Sequence, residues 1–270
     1  MQFQDYFPSF SEALATIYSK EESRILYRYF LEDFQERKVE NQAAEFKKVT
    51  EELKKGKPYQ QILGYTEFYG NRFFVDENVL IPRPETEELL ELAINKIRDS
   101  RFEIRDFKIL DVGTGSGIIP ITLKKHFPDT EISAMDISEK ALEIAQKNST
   151  FHKTRINFIQ SDYLNTDFTE KYDVIISNPP YIGIDENIEI EDSVKGFEPN
   201  IALFSPTSDA LIFYRKIAKD CENHLNENGL FFLEINQKLG KETLELFRNF
   251  SESELVKDLS GNDRFVMGRK

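Results

Sequence analysis

Four residues, Asn178-Pro179-Pro180-Tyr181, put a side-chain amide, two φ-locked residues and an aromatic ring into one short turn. Proline carries no backbone N–H and has a fixed φ, so the pair can neither continue a strand nor enter a helix interior. The turn is therefore stiff. It follows Tyr172-Asp173-Val174-Ile175-Ile176-Ser177, a run with the length and β-branched content of a buried strand. A stiff turn of this composition at a strand end suits the holding of a planar nitrogen for methyl transfer. Carboxamide and adenine amino nitrogens are poor nucleophiles because their lone pairs are delocalised. A sulfonium donor removes the need for a covalent enzyme intermediate, but nitrogen, methyl and sulfur must lie in line. Both N–H groups also need acceptors as positive charge develops on nitrogen. The Asn178 side-chain oxygen accepts one. A backbone carbonyl of Pro179 or Pro180 accepts the other, and Tyr181 stacks on the flat group. These four are the candidate catalytic and substrate-binding residues. A plain strand-ending turn is the alternative, and the tetrapeptide alone leaves base and amide both open.

The other strand ends supply a candidate cofactor site. Asp111-Val112 runs into Gly113-Thr114-Gly115-Ser116-Gly117. Glycines allow a tight turn and close backbone approach to a ligand at a helix N-terminus. Ile118 follows Gly117, so the loop departs from the dinucleotide pattern G-x-G-x-x-G. The G-x-G-x-G form fits a cofactor without a pyrophosphate, such as S-adenosylmethionine. Asp136 ends the next strand, at a distance where an acid accepts from both ribose hydroxyls. Asp162 and Tyr163 follow the third, as an acceptor for an adenine amino group and a ring to pack on the base. Each signal is weak by itself; three at successive strand ends are strong together.

Those ends must be positioned by an alternating pattern. Expected strands are Lys108–Val112, Glu131–Asp136, Ile156–Ser161, Tyr172–Ser177 and Leu230–Ile235, with helices such as Glu139–Asn148 and Asp209–Leu225 between them. Alternation of this kind specifies an α/β layer with a mostly parallel sheet. Glu254–Leu259 and Arg264–Gly268 flank a tight turn and are expected as an antiparallel hairpin at the sheet edge. Residues 1–57 read as a small helical bundle. Ile25, Leu26, Tyr29, Phe30 and Phe34, then Ala43, Phe46, Val49 and Leu53, recur at helical spacing. Residues 58–83 read as a linker and β-hairpin around Gly70-Asn71. Pro82-Arg83-Pro84 makes a rigid arm into a helix carrying Leu89, Leu90, Ala93, Ile94 and Ile97. Residues 84–270 complete the α/β domain. Ile182 to Pro206, rich in acids, reads equally as a lid or as a solvated loop.

The bulk numbers narrow the class. The chain has 270 residues, 40% of them hydrophobic and 13% aromatic, ample for a core. A net charge of −13 weighs against a partner that is mainly phosphate backbone. The single cysteine, Cys221, cannot form an internal disulfide and is expected as an ordinary helix residue. The opening residues show no signal-peptide pattern, and no apolar run has a membrane span's length. A cytoplasmic protein without a metal site is expected.

With these residues in view, the chain resembles the release-factor glutamine methyltransferases, the PrmC/HemK family. The likeness runs from about residue 58 to the C-terminus. It is carried by Pro58-Tyr59-Gln60-Gln61-Ile62-Leu63-Gly64, Glu67-Phe68-Tyr69-Gly70 and Val79-Leu80-Ile81-Pro82-Arg83-Pro84-Glu85-Thr86-Glu87. The glycine loop, Ser177-Asn178-Pro179-Pro180-Tyr181-Ile182 and Asp258-Leu259-Ser260-Gly261-Asn262-Asp263-Arg264 continue it. The 79–87 stretch is the family-specific part. The resemblance implies a Rossmann-like, seven-stranded S-adenosylmethionine-dependent methyltransferase domain behind a helical domain that grips a protein substrate. It implies transfer to N5 of the glutamine in the Gly-Gly-Gln motif of peptide chain release factors; a monomer without direct nucleic-acid or membrane contact is expected. Carried over by motif, residues 113–117, Asp136, Asp162, Tyr163 and Asn178 bind the cofactor, and 178–181 hold the glutamine. Arg83 is expected to close the cofactor pocket from the arm. The chain departs from the family pattern at Phe204-Ser205-Pro206-Thr207-Ser208 and at Glu234-Ile235-Asn236-Gln237, where glycines are usual. Adenine-N6 methylation of nucleic acid is the closest rival, since the same tetrapeptide holds an adenine amino group.

Overall fold

Helical periodicity near the N-terminus becomes a three-helix bundle. The computed structural model describes residues 6–100, 107–182, 196–205 and 207–270. Helix α1 spans Phe7–Leu14, α2 Lys20–Glu36 and α3 Gln42–Lys54. A reciprocal capping box starts α2: Glu22 N–H donates to the Ser19 hydroxyl, and Ser19 N–H to the Glu22 carboxylate. Phe10, Leu14, Leu26, Tyr27, Phe30, Phe34, Phe46, Val49 and Leu53 form the bundle core. Tyr27 stacks on Phe46 at 4.5 Å between centroids. Ile25, expected inside, is 45% exposed, and Tyr29 is only half-buried. The buried stripe runs Ser23, Leu26, Tyr27, Phe30, Phe34, so the helix is rotated from the expected face.

A short helix α4, Tyr59–Leu63, ends at Gly64, whose φ of 78° closes the turn. Strands β1 (Tyr65–Phe68) and β2 (Asn71–Phe74) form the expected hairpin, shorter than the apolar run implied. Its turn is Tyr69-Gly70, both at positive φ, rather than Gly70-Asn71. Val79, Leu80 and Ile81 lie beyond the strands. The Asn148 amide clamps the hairpin: it accepts from Phe74 N–H (2.7 Å) and donates to the Phe74 and Ser116 carbonyls. Arg72 joins the hairpin to the bundle through both oxygens of Glu36.

Pro84 opens helix α5, Pro84–Asp99, at a position where its missing N–H costs nothing. Leu89, Leu90, Ala93, Ile94 and Ile97 are all buried, as their spacing predicts. Beyond it the strands are β3 (Lys108–Val112), β4 (Glu131–Asp136), β5 (Asn157–Gln160), β6 (Tyr172–Ser177), β7 (Leu225–Glu234), β8 (Glu252–Lys257) and β9 (Asp263–Arg269). Their order across the sheet is β5-β4-β3-β6-β7-β9-β8, parallel as far as β7. Strand β9 runs antiparallel between β7 and β8, so the C-terminal hairpin ends the sheet and β8 is its edge. Helices α6 (Ile118–His126), α7 (Glu139–Phe151) and α8 (Ile212–His224) connect strands. Strand alternation builds a core on each face. Ile109, Val174, Ile176 and Phe232 point to one cluster; Leu110, Ile175, Phe231 and Leu233 point to the other. Cys221 is fully buried on α8. Strand β7 starts at Leu225, earlier than expected, because Leu225 pairs with Tyr172 directly after α8.

Candidate active site

Strand order reverses at β3, which has β4 on one side and β6 on the other. Crossovers leave in opposite directions there, so a crevice opens beyond the carboxyl ends of the strands. The pairing Met135–Val112–Ser177 sets the ends of β4, β3 and β6 level. A cavity of about 640 Å³ occupies this place, within the range of small-molecule sites. Gly113, Gly115, Asp136, Asp162, Tyr163, Asn178, Pro179 and Pro180 all line it. Apolar walls come from Val79, Leu80, Met135, Ile137, Leu164 and Phe213.

The glycine loop is less uniform than its spelling. Gly113 (φ 75°) and Gly115 (φ 53°) face the cavity, and a side chain at Gly115 would meet no atom. The backbone there opens directly onto ligand space. Gly117 instead packs α6 on α7: a Cβ would sit 3.1 Å from that of Ala145. Thr114 and Ser116 are buried behind the loop and, like Gly117, do not line the cavity. Asp111, near the end of β3, is fully buried; neither oxygen has a well-formed hydrogen bond among the described residues, and the nearby Thr114 hydroxyl only partly offsets the burial. Burial pushes it up to about 7.

Asp136 accepts from Gly115 N–H (2.8 Å) and Ser138 N–H (2.9 Å). Burial raises its pKa, while these backbone donors oppose the rise. Each oxygen retains a lone pair for a further donor. Asp162 accepts from Leu164 N–H and the Asn165 amide, which fixes the turn carrying Tyr163. The Tyr163 hydroxyl donates to Asp220 at 2.7 Å, so the ring at the cavity wall is anchored from behind.

At the end of β6 the Asn178 Nδ2 donates to the Thr86 hydroxyl (3.2 Å), which donates to Glu234 Oε2 (2.8 Å). Asn178 Oδ1 makes no hydrogen bond among the described residues. Glu234 closes β7, fully buried, and is pushed up to about 7 by that burial. Tyr181 does not line the cavity. It packs beside the core of the second face, and its carbonyl accepts from the Asn236 amide. Burial raises its hydroxyl's pKa.

Arg83, expected to close the pocket, does not itself line the cavity. Arg83 pairs at 2.6 Å with Glu198, which also accepts from Ile81 N–H. The following residues, Asn200, Ile201 and Ala202, line the cavity. Residues 183–195 and 206 of the acidic segment lie outside the described residues. Thr86, Glu234, Asn78 and Phe213 were not singled out as site residues from sequence. Thr86 lies inside the family-specific stretch and Glu234 in one of the departures, the only signals that pointed at them.

The family model "Methyltransferase small domain" matches residues 92–192. The "Release factor glutamine methyltransferase" of Flavobacterium psychrophilum is 42% identical, covering 98% of both chains. The chain belongs to the release factor glutamine methyltransferase family. The member from Bacteroides thetaiotaomicron is 40% identical over 81% of this chain and 78% of its own. The fold is likewise that of a Pyrococcus furiosus methyltransferase: TM-score 0.52 at 17% identity, covering 75% of this chain and 90% of that one. Among the described residues, no helix is long and apolar enough to cross a membrane, and no cluster of ligating side chains could hold a metal.

Proposed function

We propose that this enzyme transfers a methyl group from S-adenosylmethionine to the N5 amide of the glutamine in the Gly-Gly-Gln motif of peptide chain release factors. The observation that carries the reading is Asn178: its amide stands at the cavity, Nδ2 tied to Thr86 and Oδ1 open to accept an N–H. The residues present fit the cofactor. Gly113 and Gly115 leave backbone open to the cavity, Asp136 offers a carboxylate for a ribose diol, and the apolar walls suit a base. When bound, S-adenosylmethionine supplies an electrophilic methyl on sulfur. The chain's own groups then do the positioning. Asn178 Oδ1 and a carbonyl of the proline pair accept the two amide N–H groups, orienting the nitrogen lone pair and favouring the charge that develops there. The Arg83–Glu198 pair holds the 197–202 segment beside the cofactor, which excludes water from the transfer. Asp162 and Tyr163 flank the adenine, and Tyr181 buttresses the turn.

In this reading residues 1–57 grip the protein substrate, residues 58–83 link, and residues 84–270 carry the chemistry. The enzyme works as a monomer in the cytoplasm, without nucleic acid. The test is labelled-methyl transfer from S-adenosylmethionine to a purified release factor, beside its motif Gln→Ala variant and duplex DNA. Label on the factor alone is expected. Label on the variant factor or on DNA overturns the substrate.

A further inference from the structure

The hydrogen-bond chain below Asn178 has a direction, and that direction decides which atom of the amide meets the substrate. The chain is Asn178 Nδ2–H to Thr86 Oγ1, then Thr86 Oγ1–H to Glu234 Oε2. A hydroxyl has one proton to give. While Thr86 gives it to a carboxylate, Thr86 can only accept from Asn178, so the NH₂ end must point inward. Oδ1 is then left facing the cavity, as an acceptor for a substrate N–H. The Glu234 carboxylate, an acceptor close to the same NH₂ end, favours the same orientation; with the amide flipped, its NH₂ end would oppose the donors it has to hold.

We propose that Thr86 and Glu234 are positioning residues whose hydrogen-bond chain locks Asn178 with its oxygen toward the methyl-accepting nitrogen. This rests on the amide-transfer reading of the site. Thr86 and Glu234 lie 148 residues apart in sequence and are brought together where α5 starts and β7 ends. Both are almost wholly buried, so water does not substitute for either partner. Glu234 is held where its charge is responsive. The Thr86 hydroxyl, Arg264 from β9 and the Asn178 amide favour the carboxylate, Glu85 from α5 opposes it, and the hydroxyls of Tyr181 and, from α8, Tyr214 face it. Burial outweighs these and places its titration at about 7. A protonated Glu234 can donate to Thr86, which then turns its own proton on Asn178 Oδ1 and reverses the chain. An acid limb in kcat is therefore expected, as loss of the lock.

The experiment compares Thr86→Val, Thr86→Ser and Glu234→Gln with wild type in the full chain. It reads kcat, KM for a purified release factor, cofactor affinity, thermal midpoint and the pH profile of kcat. Thr86→Val is expected to lower kcat about 10- to 100-fold, the scale of losing a group that orients a reacting one, with KM and cofactor affinity within about threefold. Thr86→Ser keeps the hydroxyl and restores kcat. Glu234→Gln, which has no titration and can face either way, lowers kcat and abolishes the acid limb. Wild-type kcat in Thr86→Val, or an acid limb that survives in Glu234→Gln, overturns the inference. A fall in kcat, affinity and thermal midpoint together, unrelieved by serine, also overturns it. Should Thr86→Val not fold, the Glu234→Gln profile decides. Absence of label transfer by the wild type would instead sink the amide-transfer reading itself.

Discussion

At the glycine-loop end of the crevice the fully buried carboxylate is Asp111, which has only the Thr114 hydroxyl nearby and no well-formed hydrogen bond among the described residues. At the tetrapeptide end it is Glu234, equally buried, which accepts from Thr86 and faces Arg264. Burial pushes both up to about 7, so desolvation dominates in each. The surroundings differ. Asp111 sits behind a backbone loop that binds through shape, where a fixed charge has no task in the proposed transfer. Glu234 sits behind a side chain that must be oriented, and its charge gives the hydrogen-bond chain a direction. One fold thus uses the same buried group as a structural cost at one end and as an orienting device at the other.

Removing the acceptor itself is the strongest way to sharpen this contrast. Asn178→Ala is expected to lower kcat at least ~100-fold, the scale of losing one transition-state hydrogen bond, with cofactor affinity near that of wild type. Labelled-methyl transfer and titration calorimetry measure the two. Equal losses in both would mean that Asn178 serves the cofactor end.

Asp111→Asn tests the other end through stability. The folded carboxyl titrates at about 7 against an ordinary value of 3.8, so between those values the native state binds more protons than the unfolded one. Its contribution is fully present below about 4 and is lost as pH rises toward 7. Asparagine removes that dependence, and the variant is expected to gain on the order of 2 kcal/mol over wild type at pH 8, relative to pH 5. Denaturant titrations at both pH values read this. An unchanged pH dependence would show that Asp111 is ionised with a partner, and the contrast with Glu234 would fall.

Arg83→Ala leaves the Glu198 carboxylate buried with, among the described residues, only the Ile81 N–H hydrogen-bonded to it. A loss of about 1–2 kcal/mol is expected, discounted because the Arg83 side chain is a third exposed. It should appear as weaker cofactor binding more than as a lower kcat at saturation. Tyr163→Phe is the mildest change. It removes a hydrogen bond to Asp220, which keeps its ion pair with Lys216, for a cost of about 1 kcal/mol. A larger effect on cofactor affinity than on thermal stability would assign the ring to the cofactor end.

Much of the fold was legible because the central strands are buried on both faces. Strands β3, β4 and β6 fall at the residues expected, each a short apolar run bounded by glycine, proline or charge. Edges were less legible. Strand β8 begins two residues before the expected position, since an edge strand carries charges that periodicity reads as loop. In the bundle, Ile25 and Tyr27 exchange places because two apolar residues two apart satisfy either helical face until a partner helix selects one. Within the site, the strand-end residues were readable from spacing. The split between Gly113 and Gly115 on one side and Thr114, Ser116 and Gly117 on the other was not, since side-chain direction in a loop depends on φ.

The sequence by itself determined the chemistry on offer: a stiff amide-bearing turn, a glycine loop without a pyrophosphate pattern, and acids at successive strand ends. Those are local properties, set by residue type and by the end of an apolar run. Tertiary structure alone decided how the amide is turned. Thr86 comes from a helix start and Glu234 from a strand end, and no spacing rule connects them to Asn178. Only the packing of α5 against the end of β7 buries Thr86 and Glu234 beneath the part-buried Asn178, and burial of that pair is what makes the hydrogen bonds directional.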